Sequence, residues 1–168
     1  MSRMTCWSTL GLALTLAGPL SAQKPTTVDP LCDRVLPVAT VERITGLTHL
    51  ALIPRRSIPT AGGTCNYAGD DHRMVLLLTV LDERDRAEQA YLRYKAQPPY
   101  KENQKEVRDL GDAAFTGGTY EHEVVARKGG KVIMLASMLH RDKATRQTRA
   151  TVSREQLLGL AREVVARL

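Results

Sequence analysis

The stretch YEHEVVARKGGKVIMLASML, residues 120–139, decides the fold that this sequence predicts. Two runs rich in aliphatic residues flank Lys128-Gly129-Gly130-Lys131, and paired glycines between such runs are typical of a tight hairpin turn. We therefore expect antiparallel strands over Tyr120–Arg127 and Lys131–Leu139. Further upstream, Met74–Leu81 reads MVLLLTVL. This run is apolar on both faces, which indicates a strand buried in the middle of a sheet.

Helices are predicted before, between and after these strands. The last helix begins after Ser153, which forms the pattern of a capping box with Gln156 three residues later. Its apolar face continues through Leu157, Leu160, Ala161, Val164, Val165 and Leu168. A middle helix is expected over Asp82–Ala96, and two short helices are expected around Cys32 and Val41. This order predicts a single α+β domain, an antiparallel sheet with helices packed on it.

The first 22 residues have the organisation of a secretory signal peptide, with Arg3, an apolar run over Leu10–Ala17 and a small residue at Ala22. A membrane anchor is the alternative, but the run is shorter than the ~20 residues of a spanning helix. Cys6 precedes the apolar run, whereas a lipid-attachment cysteine would directly follow it. We expect removal of residues 1–22, a flexible tail over 23–28 and one domain over 29–168. The processed protein is expected in the periplasm or outside the cell, without a membrane span.

Two cysteines, Cys32 and Cys65, remain after such processing. Oxidising compartments pair thiols, and two thiols allow only one connectivity. The sequence therefore predicts a disulfide between a helix and a strand. A redox or nucleophilic cysteine is the alternative, but it would normally need a C-x-x-C spacing or a matched histidine and acid.

The formal net charge is +6, and it falls to +5 without Arg3. The cations gather in one short span that contains a single acid, Asp142. The candidate anion-binding residues are Arg141, Lys143, Arg146, Arg149 and Arg154. We expect this span to be an exposed connection that contacts an anionic envelope component or another exported protein, with a purely solvated loop as the alternative. Nucleic acid is not expected, because no aromatic residues interleave with the cations.

Motifs for catalysis or cofactor binding are not evident in the sequence: the G-x-S-x-G, G-x-G-x-x-G and P-loop patterns are missing. Asp70-Asp71-His72 contains metal-binding residue types, but a zinc site needs three or four converging ligands, and Gly69-Asp70-Asp71 is ordinary turn chemistry. Glu121-His122-Glu123 is expected on a strand, where alternation would separate the histidine from both glutamates. We therefore expect no metal, no cofactor and no catalytic residues.

Several short motifs occur in an order found in a group of exported domains. They are Cys32, Ile44-Thr45-Gly46, Cys65-Asn66-Tyr67, VRDLGDAA at 107–114, and Leu160-Ala161 with Leu168. With these motifs the chain resembles small exported bacterial cell-envelope domains of unknown function that have a PsbP-like α+β sandwich. The resemblance implies a fold and a location, and it brings no shared catalytic residues.

The expected function is therefore a non-catalytic binding or accessory module of the cell envelope. Two alternatives belong to other classes. A secreted enzyme inhibitor would present a rigid loop near Arg55–Pro59, and a small hydrolase would have a deep pocket lined by acids or histidines.

Overall fold

The structure of the protein is a computed structural model that describes residues 28–54, 62–118, 121–142 and 144–168. The predicted signal peptide at 1–22, the tail up to residue 27 and the loop Arg55–Pro59 lie outside these ranges. Within them, the chain forms one α+β domain: a seven-stranded antiparallel sheet with five α-helices packed on it, and a separate two-stranded ribbon. The predicted fold class is confirmed.

The main sheet contains β1 (Ala51–Leu52), β2 (Gly62–Ala68), β3 (Met74–Asp82), β4 (Lys105–Val107), β5 (Ala113–Gly117), β6 (Glu123–Lys128) and β7 (Lys131–Ser137). Across the sheet their order is β1-β2-β3-β7-β6-β5-β4, and all neighbours in the described part of the chain run antiparallel. The helices are α1 (Pro30–Val35), α2 (Val38–Thr45), α3 (Ala87–Lys95), α4 (Pro98–Lys101) and α5 (Arg154–Ala166). The predicted hairpin is β6–β7.

Successive residues of a strand point to opposite sides of the sheet. Both sides carry apolar side chains, and helices cover both. On the disulfide face, α1, α2 and α5 pack on a large core. Its buried strand residues include Cys65, Tyr67, Leu76, Leu78, Val80, Val124, Ala126, Ile133 and Leu135. On the aromatic face, α3 and α4 cover a smaller cluster. That cluster contains Leu81, Ala87, Ala90, Tyr91, Tyr100, Phe115, Val125 and Val132.

The predicted disulfide between Cys32 of α1 and Cys65 of β2 is present, with the two Cα atoms 5.5 Å apart. Both residues are fully buried. A Cβ on Gly63 would lie 2.5 Å from Leu31 Cδ2, so the missing side chain of Gly63 lets α1 pack against β2. The bond thus fixes α1 to the sheet. A loop of 33 residues contributes about 3–4 kcal/mol in the chain-entropy model.

The start of α5 matches the prediction. Ser153 Oγ accepts the N–H of Gln156 at 3.3 Å, and Gln156 Oε1 accepts the N–H of Ser153 at 2.9 Å, which completes the capping box. Gln156 Nε2 also donates to the carbonyl of Thr45 at 2.8 Å. This bond joins the beginning of α5 to the end of α2, where Gly46 has a φ of 72°.

The middle helix starts later than predicted, at Ala87 instead of Asp82. Asp82 pairs with Lys131 at the end of β3, and the N–H groups of Glu83 and Arg84 both donate to the carbonyl of Gly130, at 2.9 and 2.7 Å. A 3₁₀ turn then leads into the helix. The β6–β7 turn therefore holds this stretch to the sheet.

Two further segments contain strands. The polar stretch after α4 includes β4, an edge strand paired with β5. The connection predicted from Arg141 to Arg154 contains the last residue of the first ribbon strand, the whole second ribbon strand and the first residue of α5. Among the described residues, no helix has the length and apolar character needed to cross a membrane.

Candidate functional site

The ribbon consists of β8 (Leu139–Arg141) and β9 (Thr148–Ala150). The strands are antiparallel, and His140 lies directly opposite Arg149. They form a sheet of their own, outside the seven-stranded sheet. We call the described residues of the segment 139–150 the basic ribbon. β7 leads into this ribbon through a single residue, Met138.

The base of the basic ribbon is held by buried hydrogen bonds. Ser137 Oγ accepts the N–H of Val152 at 2.8 Å, and both residues are fully buried. The carbonyl of Met138 accepts the N–H and the hydroxyl of Thr151, each at 2.9 Å. The N–H of Met138 donates to the carbonyl of Val75 in β3 at 2.9 Å. The ribbon is therefore attached to the main sheet at a defined position.

The acid of the ribbon, Asp142, shapes its turn. Asp142 Oδ1 accepts the N–H groups of Ala144 and Thr145, at 2.8 and 2.9 Å. These backbone hydrogen bonds, with a smaller effect of the positive charge of Arg149, hold the pKa of Asp142 below its usual range. The carboxylate is thus engaged with the backbone of the turn.

The arginines of the ribbon make polar contacts that leave their charge unbalanced. Arg141 Nε donates to the carbonyl of Arg146 at 3.3 Å, and a guanidinium nitrogen of Arg149 donates to Gln147 Oε1 at 2.7 Å. Arg141, Arg146 and Arg149 are all exposed. Within the described ranges, none of the three forms an ion pair, in contrast to Arg43, which pairs with Glu163 at 3.1 Å.

The five predicted anion-binding residues are therefore divided. Three of them, Arg141, Arg146 and Arg149, share the basic ribbon. Arg154 turns away from it: its Nε donates to Thr116 Oγ1 at 3.3 Å and lies 3.6 Å from a carboxylate oxygen of Glu121. Lys143 lies outside the described residues.

A second polar cluster lies where β6 begins, and the prediction for Glu121-His122-Glu123 was wrong there. Glu121 has a φ of 53° and precedes the strand, so strand alternation does not separate the three side chains. His122 Nε2 lies 3.1 Å from Glu123 Oε1, and the hydroxyl of Tyr100 donates to the other oxygen of Glu123. Burial, together with this hydrogen bond, raises the pKa of Tyr100.

This cluster connects several elements of the fold. Glu121 contacts Lys105 of β4 as well as Arg154 of α5, and the hydrogen bond from Lys105 lowers the pKa of Glu121. A carboxylate that orients a histidine is an arrangement used by metal sites and by general bases. In the described part of the chain, however, no group of three or more His, Cys, Asp or Glu side chains could hold a metal ion. The arrangement fits a structural link between α4, β4, β6 and α5.

A cavity of about 670 Å³ lies elsewhere, beside the end of β3. Its lining consists of Gly62 and the run Asp82–Arg86, and it therefore carries charges of both signs. The cavity is open, and four of the five residues in the run are exposed. Three of the six lining residues, Asp82, Glu83 and Asp85, are acids, and Arg84 and Arg86 lie between and beside them.

Comparisons with protein-family models, with curated proteins and with solved structures found no match for this chain. The resemblance to PsbP-like envelope domains stays a prediction.

Proposed function

We propose that this protein is an exported, non-catalytic binding or accessory module of the bacterial cell envelope, and that its basic ribbon contacts an anionic partner. One observation carries this proposal: three exposed arginines share a small ribbon, and the acid between them is engaged with the turn backbone. Arginine, with its planar fork of donors, suits carboxylate and phosphate groups.

Cations held on one short ribbon repel each other until water, salt or an anionic partner screens them. The buried hydrogen bond between Val152 and Ser137 fixes the base of the ribbon, so little conformational freedom there is lost on binding. Binding would therefore release electrostatic strain at a small entropic cost.

Two further observations support export. The first 22 residues have the pattern of a signal peptide, and the Cys32–Cys65 bond is typical of oxidising compartments. Mass spectrometry of the periplasmic fraction should find a chain that begins at Gln23. Recovery of the protein with Met1 still attached would contradict this part of the proposal.

The binding site can be tested on an anionic matrix with two charge-matched variants. The ribbon variant carries Arg146→Glu and Arg149→Glu, and the control carries Arg108→Glu and Arg162→Glu, which are exposed residues outside the ribbon. Both variants change the net charge equally. We expect the ribbon variant to elute at lower salt than the control, with nearly unchanged melting temperatures. Equal elution of the two variants would contradict a site on the ribbon.

A further inference from the structure

Each strand of the basic ribbon has one edge that pairs with the other strand and one outer edge. The N–H of Asp142 donates to the carbonyl of Gln147, and the N–H of Thr151 donates to the carbonyl of Met138, both at 2.9 Å. Hydrogen-bonded and non-hydrogen-bonded pairs alternate along an antiparallel ladder. His140 and Arg149 lie between the pairs Asp142–Gln147 and Met138–Thr151, and they are therefore the next hydrogen-bonded pair. It follows that the backbone groups of Leu139 and Arg141 point away from β9.

This outer edge of β8 is open. Leu139, His140 and Arg141 are all exposed, whereas Thr148 and Ala150 of β9 are half-buried. In the described part of the chain, no residue forms a hydrogen bond with the backbone N–H or carbonyl of Leu139 or Arg141. Unpaired backbone groups along an exposed strand are a template for another strand.

The side chains on this edge select the chemistry of the added strand. Leu139 and Arg141 are two residues apart and therefore lie on the same face of the ribbon. Leu139 is 37% exposed, which makes it one of two large apolar residues exposed among those described. A second copy of this chain would bring a second ribbon of the same positive charge to this edge. A strand that carries acids would instead balance the charge.

We infer that an extended acidic segment of a partner protein pairs with β8 and becomes a third strand of the ribbon. This inference rests on the proposed function and names the partner as a polypeptide. The backbone of the segment bonds to Leu139 and Arg141. On one face it places an apolar residue beside Leu139 and, two residues away, an acid beside Arg141. Strand addition takes its affinity from backbone hydrogen bonds and its specificity from alternate side chains.

The direct probe is the peptide VTETVTET, which repeats this apolar-x-acid spacing. Two further versions carry equal numbers of backbone N-methyl groups. In one version the methyl groups are on the threonines and block only the edge that faces away from β8, and in the other they are on consecutive residues and block both edges. We expect the alternate version to bind within about threefold of the parent peptide, and the consecutive version to bind at least about tenfold more weakly. Equal affinities for the two methylated versions would overturn the inference.

Amide exchange provides a second readout on the protein itself. Binding of the parent peptide should slow exchange of the Leu139 and Arg141 amides by about tenfold or more, and change exchange of the His140 amide much less. Unchanged exchange at Leu139 and Arg141 would overturn the inference.

Polyphosphate and phosphatidylglycerol vesicles separate this inference from the proposed function. These two probes could bind the ribbon as tightly as the peptide does, with binding weakened only by the charge reversal Arg146→Glu with Arg149→Glu. The ribbon is then a charged surface without strand addition. The inference then fails and the proposed function stands. If charge reversal changes the binding of no probe, the proposed function fails as well.

Discussion

The disulfide face and the basic ribbon are built in opposite ways, although only Met138 separates β7 from β8. Nearly every side chain in the core of the disulfide face is fully buried, and the Cys32–Cys65 bond adds a covalent link. In the ribbon, the arginines are exposed and form no ion pair within the described ranges. The contrast separates two properties: we expect substitutions on the face to change stability and substitutions on the ribbon to change binding.

The largest effect should follow loss of the disulfide. Replacing Cys32 and Cys65 with Ala should lower the free energy of unfolding by about 2–5 kcal/mol, because the unfolded chain loses its constraint. Urea denaturation of both proteins at neutral pH measures this. The ribbon should keep its affinity for the anionic matrix wherever the variant is still folded. A loss smaller than about 1 kcal/mol would contradict the role given to this bond.

The next largest loss of stability should come from substitutions at the junction between the main sheet and the basic ribbon. Ser137→Ala leaves the N–H of Val152 buried and unpaired, which should cost about 1–3 kcal/mol. Thr151→Ala is the matched control, because the carbonyl of Met138 keeps the N–H of Thr151 as a donor. Urea denaturation should therefore rank Ser137→Ala as the more destabilising variant. The reverse order would show that the ribbon is not held through Ser137.

The disulfide face also predicts a pH dependence. Burial, with a smaller effect of Asp33, raises the pKa of Tyr67, whose hydroxyl donates to the carbonyl of Leu36. The contribution of Tyr67 is thus fully present below its unfolded pKa of about 10 and is lost as the pH rises towards its higher folded pKa. Tyr67→Phe should cost about 1 kcal/mol at neutral pH. Above about pH 10 the difference from wild type should shrink by up to about 1.4 kcal/mol per pH unit. A difference that stays constant up to about pH 11 would refute this assignment.

The smallest stability effects should distinguish a paired arginine from an unpaired one. Arg154→Ala removes contacts with Thr116 and Glu121 and should cost up to about 1 kcal/mol, because the group is partly exposed. Arg149→Ala should change the free energy of unfolding by less than about 0.5 kcal/mol. Urea denaturation at low and high salt checks both values, and added salt should reduce the cost of Arg154→Ala. An equally large effect at Arg149 would mean that the ribbon arginines are structural.

The sequence predicted those parts of the fold that neighbouring residues determine. The capping box of Ser153 and the Gly129-Gly130 turn depend on residues close in the chain. The disulfide followed from there being only two candidate thiols. These signals, together with the apolar pattern of the strands, were sufficient for the α+β class.

The candidate site was less predictable for physical reasons. β8 and β9 have three residues each and no alternation of apolar and polar residues, so periodicity could not reveal the ribbon. The cationic span was visible, but the direction of Arg154 depends on Glu121, which is distant in sequence. The contact between Tyr100 and Glu123 likewise spans 23 residues and forms only in the folded chain.

The central claim is that the ribbon arginines, and not the overall positive charge, bind an anionic partner in the envelope. The most direct measurement is a titration of isolated cell envelopes, at physiological salt, with the wild type and the two charge-matched variants. We expect Arg108→Glu with Arg162→Glu to bind within about twofold of wild type, and Arg146→Glu with Arg149→Glu to bind about tenfold more weakly. If both variants lose affinity equally, or if neither does, the basic ribbon is not the binding site.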